Sequence, residues 1–359
     1  MSERVHPSYL FFLMYMTQSG VIIFSLPRII AETFGTNGWL AIPIISMVVI
    51  FLLVLFDFIY QWSNDQSIYT IIEKMLPISM YKILYILLSL FWTVFAFTIA
   101  KKYVFIVKSL YYPLTSIHWL MFIMVILIYF FVTSTIDSIF RITTFLFFLS
   151  STWMILLIFL VIPELELIQF TTFIFQSQGD FLRGSIEIYS AFLGFEMIIF
   201  FLHHVQKSSK TMKYIYLGQL FSTFVYLIVT IFNYGFTSFE QLKYQSYPFI
   251  DFFRYIQLPF IERLDGLYFM FFLMKIIVTA TVYLYVSIEI LKRSFQLSRP
   301  FYIPILLCVI GFICIYPLNT KYDIDVLLSK MVYVQTVISI ILPAILILYL
   351  SVKRRKTDV

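Results

Sequence analysis

Two of the long apolar runs in this chain are interrupted in the middle, and the interruptions fall at corresponding places. The first reads Thr17-Gln18-Ser19-Gly20 inside a run from about residue 9 to 30; the second reads Leu193-Gly194-Phe195-Glu196 inside a run from about 185 to 205. In a bilayer every backbone N–H and C=O needs a partner, so non-helical backbone survives there only where protein buries it or a water-filled cavity solvates it. A matched pair of interrupted spans is the strongest sequence-level pointer to a binding site near the membrane midplane of an inverted-repeat transporter fold.

The rest of the chain makes a bilayer its only reasonable solvent. It is 61% hydrophobic and 12% charged, with a mean hydropathy of +0.94, too few charges to cover a soluble domain of this size. Repeated apolar runs of about 18 residues or more predict ten transmembrane helices: roughly 9–30, 38–60, 83–108, 117–135, 141–162, 185–205, 214–235, 267–291, 300–318 and 329–352. The third is lengthened by Lys101-Lys102, which a tilted helix with snorkelling lysines would accommodate. The outer segments 163–184 and 236–266 mix aromatic and polar residues and predict short helices lying over the bundle. No cleavable signal peptide is expected ahead of the first span, and Cys308 and Cys314 share one apolar run, which argues against a disulfide framework.

The fold class that follows is an all-α polytopic membrane protein, one membrane domain over 1–359. Ten spans divide into five and five, 1–162 and 185–352, with a basic tail at 353–359. An odd number of spans per half sets the halves in opposite orientations, so the two broken spans, the first and the sixth, become the first of each half. Placing both termini in the cytoplasm puts the basic clusters Lys207-Lys210-Lys213, Lys292-Arg293 and Lys353-Arg354-Arg355-Lys356 inside, as the positive-inside rule requires. The basic tail reads as a topology signal beside anionic lipid; no nucleic-acid partner is expected.

The candidate site residues cluster at the breaks. Gly20 and Gly194 permit irregular backbone and close approach of a ligand; Thr17, Gln18 and Ser19 add side-chain donors and acceptors, and Phe195 and Glu196 follow the second break directly. A carboxylate at the depth of Glu196 is either functional or braces the exposed N–H groups of a broken helix. Lys275 is the second intramembrane charge, and residue counting puts it at similar depth, so a Glu196–Lys275 ion pair is expected; replacing a coupling cation and snorkelling are the alternatives. Thr98, Ser190, Thr279 and Thr281 are the hydroxyls best placed to line a cavity, although such residues usually bond their own i−4 carbonyl. No metal, cofactor, nucleotide or catalytic constellation is present, so the chain is not expected to be an enzyme.

Thr17-Gln18-Ser19-Gly20 followed by Ser25-Leu26-Pro27-Arg28, Gly194-Phe195-Glu196 in the sixth span and Glu262-Arg263-Leu264-Asp265 entering the eighth together resemble the spore germination receptor B-subunit family, the endospore germination permeases. The chain departs from that pattern at Ser19 and at Val21-Ile22-Ile23, where a second glycine is usual. The resemblance implies membership of the amino acid–polyamine–organocation superfamily and a leucine-transporter-like core of five plus five helices. It also implies a multi-pass protein of the spore inner membrane that acts with a larger A subunit and a lipoprotein C subunit and binds an amino acid or similar small nutrient. The pocket would then use Gln18, Ser19, Gly20 and the segment Gly194 to Glu196, with spans three and eight closing its sides. Two other functions share these features: a proton-coupled amino acid or amine transporter, and a scaffold that binds nothing.

Overall fold

The computed structural model describes residues 4–63, 66–162, 165, 169–170, 173–176, 179–255, 264–296 and 302–357. These residues form helices, and the only strand-like pairing among them is one isolated bridge between Val5 and Val205. The first apolar run is α1 (Tyr9–Gln18), a 3₁₀ turn (Val21–Phe24) and α2 (Leu26–Phe34). Then come α3 (Ala41–Trp62), the short α4 (Ile68–Met75), α5 (Ile78–Tyr111), α6 (Ile117–Val132) and α7 (Ile136–Val161). The sixth run is α8 (Phe181–Ala191) followed by 3₁₀ turns at Phe195–Phe200 and Leu202–His204. The chain continues through α9 (Thr211–Phe236), α10 (Phe239–Leu242), α11 (Pro248–Tyr255), α12 (Leu264–Phe295), α13 (Tyr302–Ile315) and α14 (Lys321–Thr357).

Among the described residues five helical stretches are long and apolar enough to cross a membrane: Gly38–Trp62, Ile78–Tyr111, Thr211–Phe236, Asp265–Phe295 and Lys321–Arg354. The apolar helices Ile117–Val132 and Tyr302–Ile315 are shorter. Helix starts follow local chemistry: Ser67, Ser116, Thr135, Asp180 and Ser238 each stand at an N-cap and accept backbone N–H groups of the first turn that have no partner within the helix.

The pair α5 and α12 is the most extensively packed. The two run antiparallel in one register, pinned by Tyr111 Oη donating to Asp265 (2.5 Å), Tyr103 Oη to the Phe269 carbonyl (2.6 Å), Ser89 Oγ to the Ser287 carbonyl (2.9 Å) and Ser294 Oγ to the Lys82 carbonyl (3.3 Å). Around this pair α6, α7 and α13 pack on α12, and α6, α13 and α14 pack on α5; α1 and α3 both pack on α9, and α2 on α8. Both termini lie at the same end: Arg4 shares a cleft with Ser63 and Gln66, which also share one with Lys353 and Arg354.

Two expectations are corrected here. Lys101 and Lys102 do not snorkel: α5 runs unbroken through them, both are buried, and Lys102 forms an ion pair with Asp325 of α14. The sixth span does not resume as an α-helix after its break but descends in 3₁₀ turns, every residue of Phe195–Phe200 being buried. In the 236–266 segment short helices do form, and Phe249 and Phe253 of α11 pack against the ring of Tyr268; most of 163–178 lies outside the described residues. Leu167, Ile168, Glu262 and Arg263 lie outside the described residues.

Gly311 on α13 is where this packing is tightest, since a Cβ there would collide with the buried ring of Phe97 on α5. Overpacking of this kind costs about 1–3 kcal/mol. Gly311→Val is expected to lower the melting temperature of the detergent-solubilised protein, with Gly311→Ala intermediate; equal melting temperatures for the three would show that α13 does not rest on α5 in this way.

Candidate ligand-binding site

The two breaks meet. Gly194 has a left-handed backbone (φ 112°), and a Cβ on it would stand 2.6 Å from Cγ2 of Thr17; only a glycine allows both the turn and the approach. At the other break the chain leaves α1 at Ser19 and is extended at Gly20 (φ −87°, ψ −178°).

The backbone freed by the breaks is held by side chains from neighbouring helices. Tyr226 of α9 presents one hydroxyl to two carbonyls, Gln18 O at 2.6 Å and Ala191 O at 2.8 Å, one from each broken span. Gln18 donates its amide to the Phe192 carbonyl (3.0 Å) and to Gln219 Oε1 (2.7 Å), and Gln219 passes the chain on to Ser46 and Thr223. Thr279 of α12 points its hydroxyl at the carbonyls of Met16 (3.2 Å) and Thr17 (3.1 Å), as well as at its own i−4 carbonyl. Glu196 accepts from Gly194 N (2.8 Å), Tyr283 Oη (2.7 Å) and Gln335 Nε2 (2.5 Å), and Gln335 in turn accepts from Trp92. Its partners are all donors, so the carboxylate braces the second break and ties it to α12 and α14.

The expected Glu196–Lys275 ion pair is not formed. Lys275 donates to Tyr15 Oη (2.8 Å) and sits over the rings of Tyr15 (4.8 Å) and Phe272 (5.9 Å). Glu196 is instead bonded to Tyr283, eight residues further along α12, which is about 12 Å at 1.5 Å per residue. Counting residues placed the two charges at one depth from span ends near 185 and 267, whereas α8 begins at Phe181 and α12 is described from Leu264.

A cavity of ≈ 60 Å³ opens beside the junction, lined by Thr17, Gln18, Gly20, Val21, Ile22, Phe95, Ile99, Ser190, Leu193, Thr279, Tyr283, Leu328 and Val332. Thr17, Gln18, Gly20, Ser190 and Thr279 are thus brought together at it. Ser19 turns its hydroxyl to the Tyr15 carbonyl, Thr98 bonds Val94 O, Phe195 packs on Phe56 and Tyr189, and Gly194 faces Thr17; none of these four lines the cavity. Thr281 is buried without a hydroxyl partner and also stands off it, since two residues along a helix turn a side chain away from the face Thr279 occupies. Glu196 reaches the cavity only through Tyr283. Sequence reasoning overlooked Phe95, Ile99, Leu328 and Val332; the i, i+4 spacing of each pair on α5 and α14 was legible, but which face turned inward was not.

Among the described residues no charged side chain lines the cavity. A wider vestibule of ≈ 230 Å³ shares Val21, Ile22, Ser190, Leu328 and Val332 with it and is rimmed by Arg28, Lys102, Arg183, Glu187, Lys321 and Asp325. It approaches from the end opposite the termini.

Residues 4–323 match the family described as "Spore germination protein". The chain belongs to that family. Among its relatives, the spore germination protein GerQB of Bacillus cereus is 23% identical over 328 residues, covering 90% of this chain and 89% of that protein. Spore germination protein A2 of Bacillus subtilis (strain 168) is 26% identical over 169 residues, 46% of each chain. In fold, the chain is similar to Mhp1, a nucleobase-cation-symport-1 family transporter, in a closed conformation with bromovinylhydantoin bound. The TM-score is 0.66 at 14% identity, over 92% of this chain and 75% of that one. A spore germination permease thus has a transporter's architecture, with the geometry above at its centre.

Two substitutions test the junction. Tyr226→Phe keeps the ring that packs on Phe192 but leaves the buried Ala191 carbonyl without that donor and the Gln18 carbonyl with Gly20 N alone, a loss of about 1–3 kcal/mol; the expected result is a lower melting temperature, and an unchanged one would show that the hydroxyl does not join the spans. Gly194→Ala adds a left-handed penalty of about 1–2 kcal/mol to the collision with Thr17. Adding Thr17→Ser, which removes the colliding methyl, should restore part of the lost stability and not all of it.

Proposed function

We propose that this chain is the nutrient-binding B-type subunit of a germinant receptor in the spore inner membrane, with both termini on the core side. It binds an amino acid or similar small nutrient in the cavity where the two breaks meet, and passes the change to A-type and C-type partner subunits. The observation that carries the reading is the neutral, polar-and-aliphatic cavity at the contact of Thr17 with Gly194, reached through a charged vestibule. A ligand there touches both broken spans together with α5, α12 and α14, so it can bias their relative positions through differential contacts.

The packing supports the leucine-transporter-like scheme of ten helices in two inverted halves, 1–162 and 185–352, with the tail 353–359. Numbering the ten spans in order, the third and eighth (α5 and α12) run antiparallel; the ninth (α13) packs on the third as the fourth (α6) packs on the eighth. The tenth (α14) packs on the third as the fifth (α7) does on the eighth. A second reading, a proton-coupled transporter, is favoured by the buried Glu196 one hydrogen bond from the cavity wall; uptake of labelled nutrient by proteoliposomes containing this chain alone would select it.

Gly20 supplies the test. Its extended backbone suits any residue, and a Cβ there meets only Gln18 O, at 3.8 Å. Gly20→Leu should therefore fold normally while filling the cavity. Spores carrying it are expected to lose their response to the nutrients that the parent chain answers, with protein level and melting temperature unchanged. A normal response from those spores would remove the cavity from the function.

A further inference from the structure

The end of the bundle that carries both termini holds a cleft of ≈ 500 Å³. It shares no lining residue with the central cavity or the vestibule. The ends of α3 and α14 and the short α4 form it. Because α3 and α14 are both long and apolar enough to cross a membrane, the end they share lies at a membrane–water interface. The lining suits that level. Trp62 and Tyr349 are amphipathic rings of the kind that settle among lipid headgroups. Lys74 of α4 and Lys353 and Arg354 of α14 bring three positive charges, and among the described residues no acid lines the cleft. Asp65 lies outside the described residues; counted in full against those cations it still leaves the balance positive. Lys74 Nζ donates to Gln66 Oε1 (3.1 Å), and the Arg354 guanidinium lies over the ring of Trp62 (5.7 Å). Toward the membrane interior the walls turn apolar. Phe58, one turn before Trp62 and packed on its ring (5.5 Å), is exposed on α3, and Ile345, one turn before Tyr349, is exposed on α14. Since α14 packs on α3, the seam between them leads from the charged cleft to exposed apolar side chains.

We propose that this cleft is a binding site for an anionic glycerophospholipid, its phosphodiester headgroup held by Lys74, Lys353 and Arg354 and its acyl chains lying along Phe58 and Ile345. A basic pocket between membrane helices at the interface is complementary to a lipid phosphate, and the planar fork of Arg354 can meet two phosphate oxygens at once. A volume of ≈ 500 Å³ has room for roughly thirty to fifty water-sized groups at about 10–15 Å³ each, more than a phosphate ion fills and enough for a headgroup with its glycerol. A soluble phosphate diester carries the same charge but has nothing to lay on Phe58 and Ile345, and this favours the lipid. Bound there, the lipid joins α3 and α4 to α14, the helix whose Gln335 holds Glu196.

Thermal stabilisation of the full-length chain in dodecyl maltoside by added lipid tests this, with phosphatidylglycerol as the anionic probe, phosphatidylcholine as the zwitterionic one and glycerophosphoglycerol as the headgroup without chains. Phosphatidylglycerol is expected to raise the melting temperature, and phosphatidylcholine to need about tenfold more for the same rise. The double variant Lys353→Gln/Arg354→Gln should raise the phosphatidylglycerol concentration needed by about tenfold or more. Lys210→Gln/Lys213→Gln removes the same charge from the same end but outside the cleft, at the start of α9, where Tyr60 Oη bonds Thr211 (3.3 Å); it should leave that concentration unchanged. Equal stabilisation by the two lipids overturns the anionic class. An equal loss in the two double variants reduces the effect to general attraction between a basic end and an anionic surface and overturns the site. Stabilisation by glycerophosphoglycerol at the concentration that suffices for phosphatidylglycerol overturns the lipid and makes the occupant a soluble phosphate diester. If Lys353→Gln/Arg354→Gln fails to fold, Lys74→Gln, exposed on α4, decides: a rise of about fivefold in the phosphatidylglycerol needed supports the site, and an unchanged response overturns it.

Discussion

The structure depends on one constraint: backbone released from a helix inside an apolar bundle must find its hydrogen bonds elsewhere. Breaking two spans at their middles frees carbonyls and N–H groups where no water of bulk solvent is at hand. The chain meets the demand with a few side chains, each from a different helix: Tyr226 from α9, Thr279 from α12, Gln18 from the first break itself and Glu196 from the second. Because Tyr226 serves both breaks, and because Gly194 admits Thr17 at close range, satisfying the backbone also joins the two broken spans at one point.

That joint decides the character of the cavity beside it. The polar groups of the junction are almost all spent on the protein itself, so the wall that remains is mainly apolar. Charge is kept one layer out. Lys102 and Asp325 pair in the vestibule, and Lys275 is confined to a tyrosine hydroxyl and two rings on a different stretch of α12. The cavity is walled by α5, α12 and α14 as well as both breaks, and Glu196 carries the second break to Gln335 of α14 and through it to Trp92 of α5. The cavity wall and these helices are therefore joined through a small set of hydrogen bonds.

Much of this was legible in the residues. The positions of both breaks, the glycine at each and the candidacy of Gln18, Thr279 and Glu196 all follow from the cost of irregular backbone and intramembrane charge. The errors arose where a local pattern met a distant partner. Glu196 and Lys275 were given one depth by counting from span ends near 185 and 267, whereas α8 begins at Phe181 and α12 is described from Leu264, and the bond to Tyr283 sets Glu196 past Lys275. Lys102 found a carboxylate more than two hundred residues away, Asp325, and no local pattern announces such a partner.

The sequence by itself determined the solvent, the helical class and the two places where the fold must deviate from helix, because backbone hydrogen bonding in an apolar medium leaves so few alternatives. Only the tertiary structure decided which groups repair the breaks and which faces of α5 and α14 look inward. These depend on contacts such as Gln18 with Gln219 and Tyr226 with Ala191. Such contacts exist only once distant helices have packed, and their geometry is set by packing rather than by spacing along the chain.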